Sequence, residues 1–405
     1  MMECEREQMH AATQNGTSFD DEVMAALRSV LGSPSKTIGL HEPEFRGNEA
    51  TYVQNCIETG WVSSVGAYVD RIERDIAAIT ESTHAIACVN GTAALHICYK
   101  LAGIERGDEV LVPSLTFIAT VNPLSYLSAT PHFVDSDPGT LGVDPAALDR
   151  YLGEIAELRD GRCFNRLTGK RISALVITHI FGHSADLDGL ADVAAKWVLV
   201  LVEDAAEGLG TYYKGRHVGN HGLLSALSFN GNKIVTTGGG GAIITNNATL
   251  AQQAKHLTTT AKAPHAWDYV HDEIGFNYRM PNINAALGCA QLERLPDMLA
   301  RKRLLASKYA AAFAEMNRVA FVSEPADSVS NHWLNAIRID SITLEQRDIL
   351  LGELNDAGYM SRPIWTLIHK LPMYAQCPRA PLPTAERLEV EIINIPSSAS
   401  LADEF

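Results

Sequence analysis

The chain has 405 residues, 46% hydrophobic and 20% charged, enough to bury a sizeable core and to form two domains, or one large and one small. A formal net charge of −15 argues against a nucleic-acid-binding surface, though it leaves room for a local basic pocket. Seven cysteines show no CxxC or zinc-ligand spacing, so reduced, buried thiols and no metal site are expected. The charged stretch Met1–His10 is unlike a signal peptide, and no apolar run is long enough to cross a bilayer, so a cytoplasmic protein is expected.

Residues 1–36 read as a frayed start plus one helix, capped by Ser18 or Asp20, with Val23, Ala26, Leu27 and Val30 at helical spacing. The extended segment from Ile38 leads to a helix over 48–59, which Gly60 closes as C-cap. The loop Gly60–Gly66, with Trp61, Ser63 and Ser64, is either a hydrophobic plug or a ligand-facing wall. From Ala85 the chain alternates short apolar strands with helices as far as Val202, Asp144-Pro145 opening one helix as N-cap and N1. A polar insert over 160–170 interrupts the series. Two further strands, 223–229 and 242–245, flank the segment that carries Lys233 and Gly238–Gly241. A long helix begins at Pro281 and breaks near Pro296; another covers 301–316; the remainder mixes short strands with a helix over 344–357. The alternation predicts a mostly parallel sheet covered on both faces. The expected division is an N-terminal extension (1–36), a large α/β domain (37–295) and a small α+β domain (296–405).

In such sheets ligands bind beyond the carboxyl ends of the strands. Asn90-Gly91-Thr92-Ala93 is a strand-to-helix turn whose free N–H groups suit a phosphate. Phe117 follows the strand 109–113 and is placed either to stack on a flat ring or in the core. Glu203-Asp204 ends an apolar strand, where a buried acid needs a cationic partner such as a protonated pyridine nitrogen. Ser228 lies five residues before Lys233, within reach of the same phosphate. A partly desolvated lysine amine is a nucleophile toward carbonyl groups, including the aldehyde of pyridoxal phosphate (PLP).

The blocks Gly60-Trp-Val-Ser-Ser, Asn90-Gly-Thr-Ala-Ala-Leu, Pro113-Ser-Leu-Thr-Phe, Val202-Glu-Asp-Ala-Ala-Glu, Ser228-Phe-Asn-Gly-Asn-Lys, Gly275-Phe-Asn-Tyr-Arg-Met and Asn394-Ile-Pro-Ser-Ser together resemble the DegT/DnrJ/StrS family of PLP-dependent sugar aminotransferases. The resemblance runs from about Leu40 to Ser398 and implies the aspartate aminotransferase-like fold, fold type I. Leu40–Phe45 and Arg362–Tyr374 resemble the branch that serves legionaminic acid and related nonulosonic acids.

The resemblance implies that Lys233 tethers PLP and shuttles protons, Asp204 holds the pyridine nitrogen and Phe117 stacks on the ring. It gives Gly91, Thr92, Ala93 and Ser228 to the phosphate and puts Glu207 near the ring hydroxyl. Asn277 matches a residue that reaches the neighbouring subunit's phosphate, which implies a homodimer with sites at the interface. Trp61, Ser63, Ser64 and His369 match substrate-side positions, with His332 and Arg338 weaker candidates and Arg279 a substrate-side cation; His179 and His183 are taken as structural. The implied reaction moves an amino group from L-glutamate to the C4 ketone of a UDP-linked 4-keto-6-deoxy-N-acetylhexosamine. Because the net charge does not favour such a ligand, local cations such as Arg279, Arg362 or Lys370 are expected to hold it. The same chemistry on GDP-4-keto-6-deoxymannose or a 3-keto sugar is the nearest rival. A dehydratase relative would carry His in place of Lys233, and a non-catalytic regulator would be expected to have lost Lys233 or Asp204; both residues are present.

Overall fold

The computed structural model describes residues 19–404. In chain order the helices are α1 (Phe19–Leu31), α2 (Glu49–Thr59), α3 (Ala67–Thr80), α4 (Gly91–Leu101), α5 (Ile118–Tyr126), α6 (Pro145–Ile155), α7 (Leu187–Lys196), α8 (Ala248–Thr258), α9 (Asn282–Glu293), α10 (Leu295–Phe313), α11 (Leu344–Asp356), α12 (Pro383–Glu391) and α13 (Leu401–Glu404). Strands β1 (His84–Cys88), β2 (Glu109–Pro113), β3 (Thr130–Val134), β4 (Ala156–Arg159), β5 (Arg162–Asn165), β6 (Arg171–Thr178), β7 (Val200–Asp204), β8 (Tyr212–Tyr213), β9 (Arg216–His217), β10 (Leu224–Ser228) and β11 (Gly241–Thr245) precede α8. Strands β12 (Val319–Phe321), β13 (Ser328–Val329), β14 (Asn335–Ile339), β15 (Arg362–Pro363) and β16 (Ile392–Ile395) follow.

The main sheet runs β1-β11-β10-β7-β6-β2-β3 and is parallel from β10 to β3, as the alternation predicts. Successive side chains of its strands enter opposite cores. Val110, Val112 and Val176 face α4 and α5, whereas Leu111, Leu175 and Ile177 face α6 and α7. A second sheet, β12-β14-β16-β15, shares its core with α1 and α10: Val23, Leu27 and Leu31 pack with Tyr309, Ile337 and Ile393. The helix expected over residues 1–36 therefore joins the C-terminal layer; Ser18 lies outside the described residues.

Several boundaries differ from expectation. Helix α3 was not legible as a separate element, although Val69, Ile72 and Ile76 lie on its buried face at i, i+3 and i+7. The expected break near Pro296 is present, but α10 starts there, at Leu295 and not at 301, because the missing N–H of Pro296 costs nothing in a first turn. Strand β7 contains Glu203 and Asp204 instead of stopping before them. The polar insert is the hairpin β4–β5, which adds antiparallel to β6. The buried Glu109 carboxylate holds it, accepting from Thr168 Oγ1 at 2.6 Å and Asn165 Nδ2 at 2.8 Å, with His132 Nδ1 at 2.8 Å. Among the described residues no helix is long and apolar enough to cross a membrane, and the six described cysteines are free.

Truncating Glu109 to Ala removes the shared partner of buried Asn165 and His132 and of the exposed Thr168. The variant is expected to lose about 3 kcal/mol of unfolding free energy in a urea titration. A change near zero would show that the hairpin does not depend on this carboxylate.

Candidate active site

One cavity of about 340 Å³ lies beyond the carboxyl ends of the parallel strands. Its wall gathers Gly91 and Thr92 after β1, Phe117 after β2, Thr178 and His179 at the end of β6, Asp204 from β7, Glu207 after it, Ser228 from β10, and Lys233. These residues span 143 positions of sequence (Gly91 to Lys233) and meet because parallel strands bring their carboxyl ends to one edge.

At one end the Asn90–Gly91 turn opens α4. Asn90 caps the helix, its side chain accepting from the Ala93 N–H at 2.7 Å. The Ala93 amide is therefore already engaged, and Ala93 does not line the cavity. First-turn N–H groups of Gly91 and Thr92 have no intrahelical acceptor, and both residues line the cavity with Ser228. The four-glycine run gains a reason here. A Cβ on Gly241 would stand 2.6 Å from the Gly91 nitrogen, so β11 passes against this turn only because Gly241 has no side chain.

Asp204 and Glu203 alternate on β7 and have opposite fates. Glu203 faces away from the cavity and is fully buried. It accepts from the Gly219, His221 and Gly222 N–H groups at 2.6–2.7 Å and pairs with His179 Nε2 at 3.0 Å. Burial alone would raise its carboxyl; the His179 contact and the backbone donors outweigh that and hold it at about 2. Asp204 faces the cavity. Its Oδ2 accepts from Thr120 Oγ1 at 2.7 Å and its Oδ1 from the Ala206 N–H at 3.1 Å. Burial raises its carboxyl above the ordinary range, because neither contact is a full charge and Lys233 acts only at a distance.

Lys233 sits in the loop that joins β10 to β11, its side chain 13% exposed. Its Nζ lies 3.2 Å from Glu207 Oε1 and 3.6 Å from the centre of the Trp333 ring. The other Glu207 oxygen accepts from the Phe181 N–H at 2.8 Å, and burial raises the Glu207 carboxyl. Phe117 is half exposed at the mouth, 6.2 Å from Trp365 between ring centres.

The remaining candidates are not brought to the wall of this cavity. Trp61, Ser63 and Ser64 lie on an exposed loop held by Asn282, whose Nδ2 donates to the Trp61 carbonyl at 2.7 Å. Asn277 is exposed, and Arg279 runs beside Cys88 with its Nε buried and unpartnered. His332 is buried against His183, 5.3 Å between ring centres, and burial lowers its imidazole to about 2. His369 is held by Ser114 Oγ at 2.8 Å. Arg338 pairs with Glu391 and Lys370 with Glu389. In the other direction, the structure adds Thr120, His179, Trp333 and Trp365 to the wall. Thr120 was legible as one helical turn beyond Thr116; the two tryptophans come from the distant C-terminal region, and no local pattern marks them.

The shift of Glu203 gives a pH signature. A carboxyl lowered in the folded state contributes stability above its ordinary value of about 4.5 and loses it as pH falls toward about 2. The stability gap between the native protein and Glu203→Gln, measured by urea midpoint, is expected to shrink across that window. A gap that is constant with pH would contradict the pairing.

Comparison with known proteins fits this geometry. The model of the DegT/DnrJ/EryC1/StrS aminotransferase family matches residues 43–405. The chain is 37% identical over 369 residues to the GDP-perosamine synthase of Escherichia coli O157:H7, covering 91% of this chain and 95% of that one. It is also 37% identical to the GDP-perosamine synthase of Caulobacter vibrioides, covering 90% and 94%. Among solved structures it is similar to the aminotransferase TlmJ from Streptoalloteichus hindustanus, with a TM-score of 0.81 and 26% identity over 91% of this chain and 95% of that one. The chain belongs to the DegT/DnrJ/EryC1/StrS aminotransferase family, and it is a PLP-dependent sugar aminotransferase.

Proposed function

We propose that the protein moves an amino group from L-glutamate to the C4 ketone of a nucleotide-linked 4-keto-6-deoxy sugar, with Lys233 as the catalytic residue. The observation that carries this reading is the single cavity in which a buried, uncompensated Asp204 and the Lys233 amine share a wall with the Asn90–Thr92 turn. The residues fit PLP. Asp204 would hold the pyridine N–H⁺, the first-turn amides of Gly91 and Thr92 with Ser228 would hold the phosphate, and Phe117 would offer a ring face. When bound, PLP supplies an electron sink for the carbanion formed at the amino-bearing carbon.

The chain's own residues then do the following. Glu207, with Oε1 3.2 Å from Nζ, holds the Lys233 amine in place on the cavity wall. With PLP and the donor bound, the Lys233 amine would remove the α-proton and later return one to the sugar carbon. Asp204 keeps the ring nitrogen protonated throughout. The enclosed aromatic wall limits water.

Two sugars are supported by different observations. The blocks Leu40–Phe45 and Arg362–Tyr374 support a UDP-linked N-acetylhexosamine of the legionaminic-acid type. The relatives named GDP-perosamine synthase support GDP-4-keto-6-deoxymannose. In either case the active unit is read as a homodimer. Asn277 and the apolar residues Trp267, Tyr269 and Ile274 are exposed, and a second copy would cover them. Residues 37–295 are read as the cofactor-binding domain and 296–405 as the small domain.

Incubation with glutamate and a panel of UDP- and GDP-linked keto sugars, read by mass, is expected to give an amino sugar from one nucleotide series and 2-oxoglutarate in equal amount. No product from any 4-keto sugar would overturn the reading. Lys233→Ala is expected to abolish turnover. Mixing Lys233→Ala with Asn277→Ala subunits should restore activity in the hybrid, because one of its two sites keeps both residues; no recovery would contradict a shared site.

A further inference from the structure

Lys233 and Glu207 lie on separate loops of the main sheet, yet one short segment outside that sheet grips both. The segment is Ser330–Trp333, just before β14. Asn331 Nδ2 donates to the Glu207 carbonyl at 2.7 Å and to the Leu209 carbonyl at 2.8 Å. Two residues on, the Trp333 indole N–H donates to the carbonyl of Asn232 at 2.7 Å, and the Trp333 ring lies 3.6 Å from the Lys233 Nζ. Trp333 thus holds the peptide that precedes Lys233 and also faces its amine, a cation–π arrangement.

The segment itself is anchored from both sides. Ser330 Oγ and Thr211 Oγ1 both donate to the Gly182 carbonyl, at 2.8 and 2.7 Å, and the Asn331 N–H donates to Thr211 Oγ1 at 3.0 Å. Gly182 adopts φ +89, and a Cβ there would fall 1.8 Å from Asn331 Oδ1, so only glycine admits this contact. His332 takes the left-handed φ of +48, an uncommon conformation for a side-chain-bearing residue that the surrounding bonds enforce. Behind the segment stands Lys302 of α10. Its side chain is 1% exposed, and its Nζ donates to the carbonyls of Trp333 at 3.1 Å and Ser397 at 2.5 Å. Burial lowers this amine to about 7, so its placement carries a desolvation cost that those two hydrogen bonds offset.

We infer that Trp333, fixed by Lys302, is a positioning residue that sets the reach of the Lys233 amine into the cavity. The inference rests on Lys233 being the point of PLP attachment. It assigns roles to two residues in the C-terminal region that neither touch PLP phosphate nor carry the reacting proton. The substitution Trp333→Leu keeps an apolar filler but removes the ring face and the indole N–H. Trp333→Phe keeps the ring face alone. Lys302→Met keeps the volume of the buried stem and removes both donors.

The test uses the full chain freed of cofactor. PLP is added, samples are quenched with borohydride over time, and the labelled lysine is identified by peptide mass spectrometry. Trp333→Leu is expected to slow labelling of Lys233 about 10-fold, on the order of the hydrogen bond that holds the Asn232–Lys233 peptide. It should lower kcat by a similar factor and leave KM for the nucleotide sugar within about 2-fold, since the role inferred for Trp333 is on the Lys233 amine. Trp333→Phe should fall between Leu and the native protein, and Lys302→Met should slow labelling in the same direction. Labelling at the native rate in a folded Trp333→Leu protein overturns the inference, as does a loss confined to KM, which would make Trp333 a substrate contact. Should Trp333→Leu not fold, native labelling rates in both Trp333→Phe and Lys302→Met overturn it. A label on a lysine other than Lys233 in the native protein would instead overturn the attachment point itself, so the two failures are told apart.

Discussion

The site is organised around a carboxyl group that lacks a charge partner. Asp204 ends a central strand, faces the α4–α5 side of the sheet and is almost fully buried, with one hydroxyl and one amide as its contacts. An isolated anion in such a place is costly, and its raised carboxyl records that cost. A cation bound in the cavity would remove it. The neighbouring Glu203 shows the contrast. One residue away on the same strand, and just as deep, it is satisfied by three amides and His179 and stays ionised well below the usual range. One acid holds the fold at the strand end, and the other is left for a ligand.

The rest of the site follows from keeping that carboxyl in place and delivering an amine to the same space. The parallel order from β10 to β3 brings Ser228, Asp204, Thr178 and the Thr116–Thr120 turn to one edge. The antiparallel pair β10–β11 then carries the chain out and back, which places Lys233 in the connecting loop above Asp204. Gly241 lets that return pass against the Asn90–Gly91 turn, so the phosphate end and the lysine loop are packed together. Opposite them, Asn331 and Trp333 hold the backbones that carry Glu207 and Lys233. The reacting groups are thereby fixed relative to the sheet by contacts from both ends of the chain's order.

Much of this was legible in the residues. Strand–helix alternation gave the parallel sheet, and the rule about strand ends singled out Asn90–Thr92, Phe117, Asp204, Ser228 and Lys233, all of which meet in one cavity. What local pattern did not carry is equally physical. The Ala93 amide is engaged because Asn90 serves as N-cap, a competition for one N–H that composition does not reveal. Helix α1 packs beside β14 and β16 at the far end of the chain, a contact that depends on tertiary folding. Trp333 and Trp365 reach the wall from beyond residue 330, so no spacing near Lys233 announces them. His332 matched a substrate position by motif, yet its left-handed backbone turns the ring toward His183 and away from the cavity wall.

The central claim is that Asp204 holds a protonated pyridine nitrogen. Nitrogen-15 NMR of the full chain loaded with ring-labelled PLP measures this directly, in the native protein and in Asp204→Asn. The account predicts a protonated ring nitrogen at neutral pH in the native protein and an unprotonated one in the variant. An unprotonated nitrogen in the native protein, or the same state in both, would contradict it.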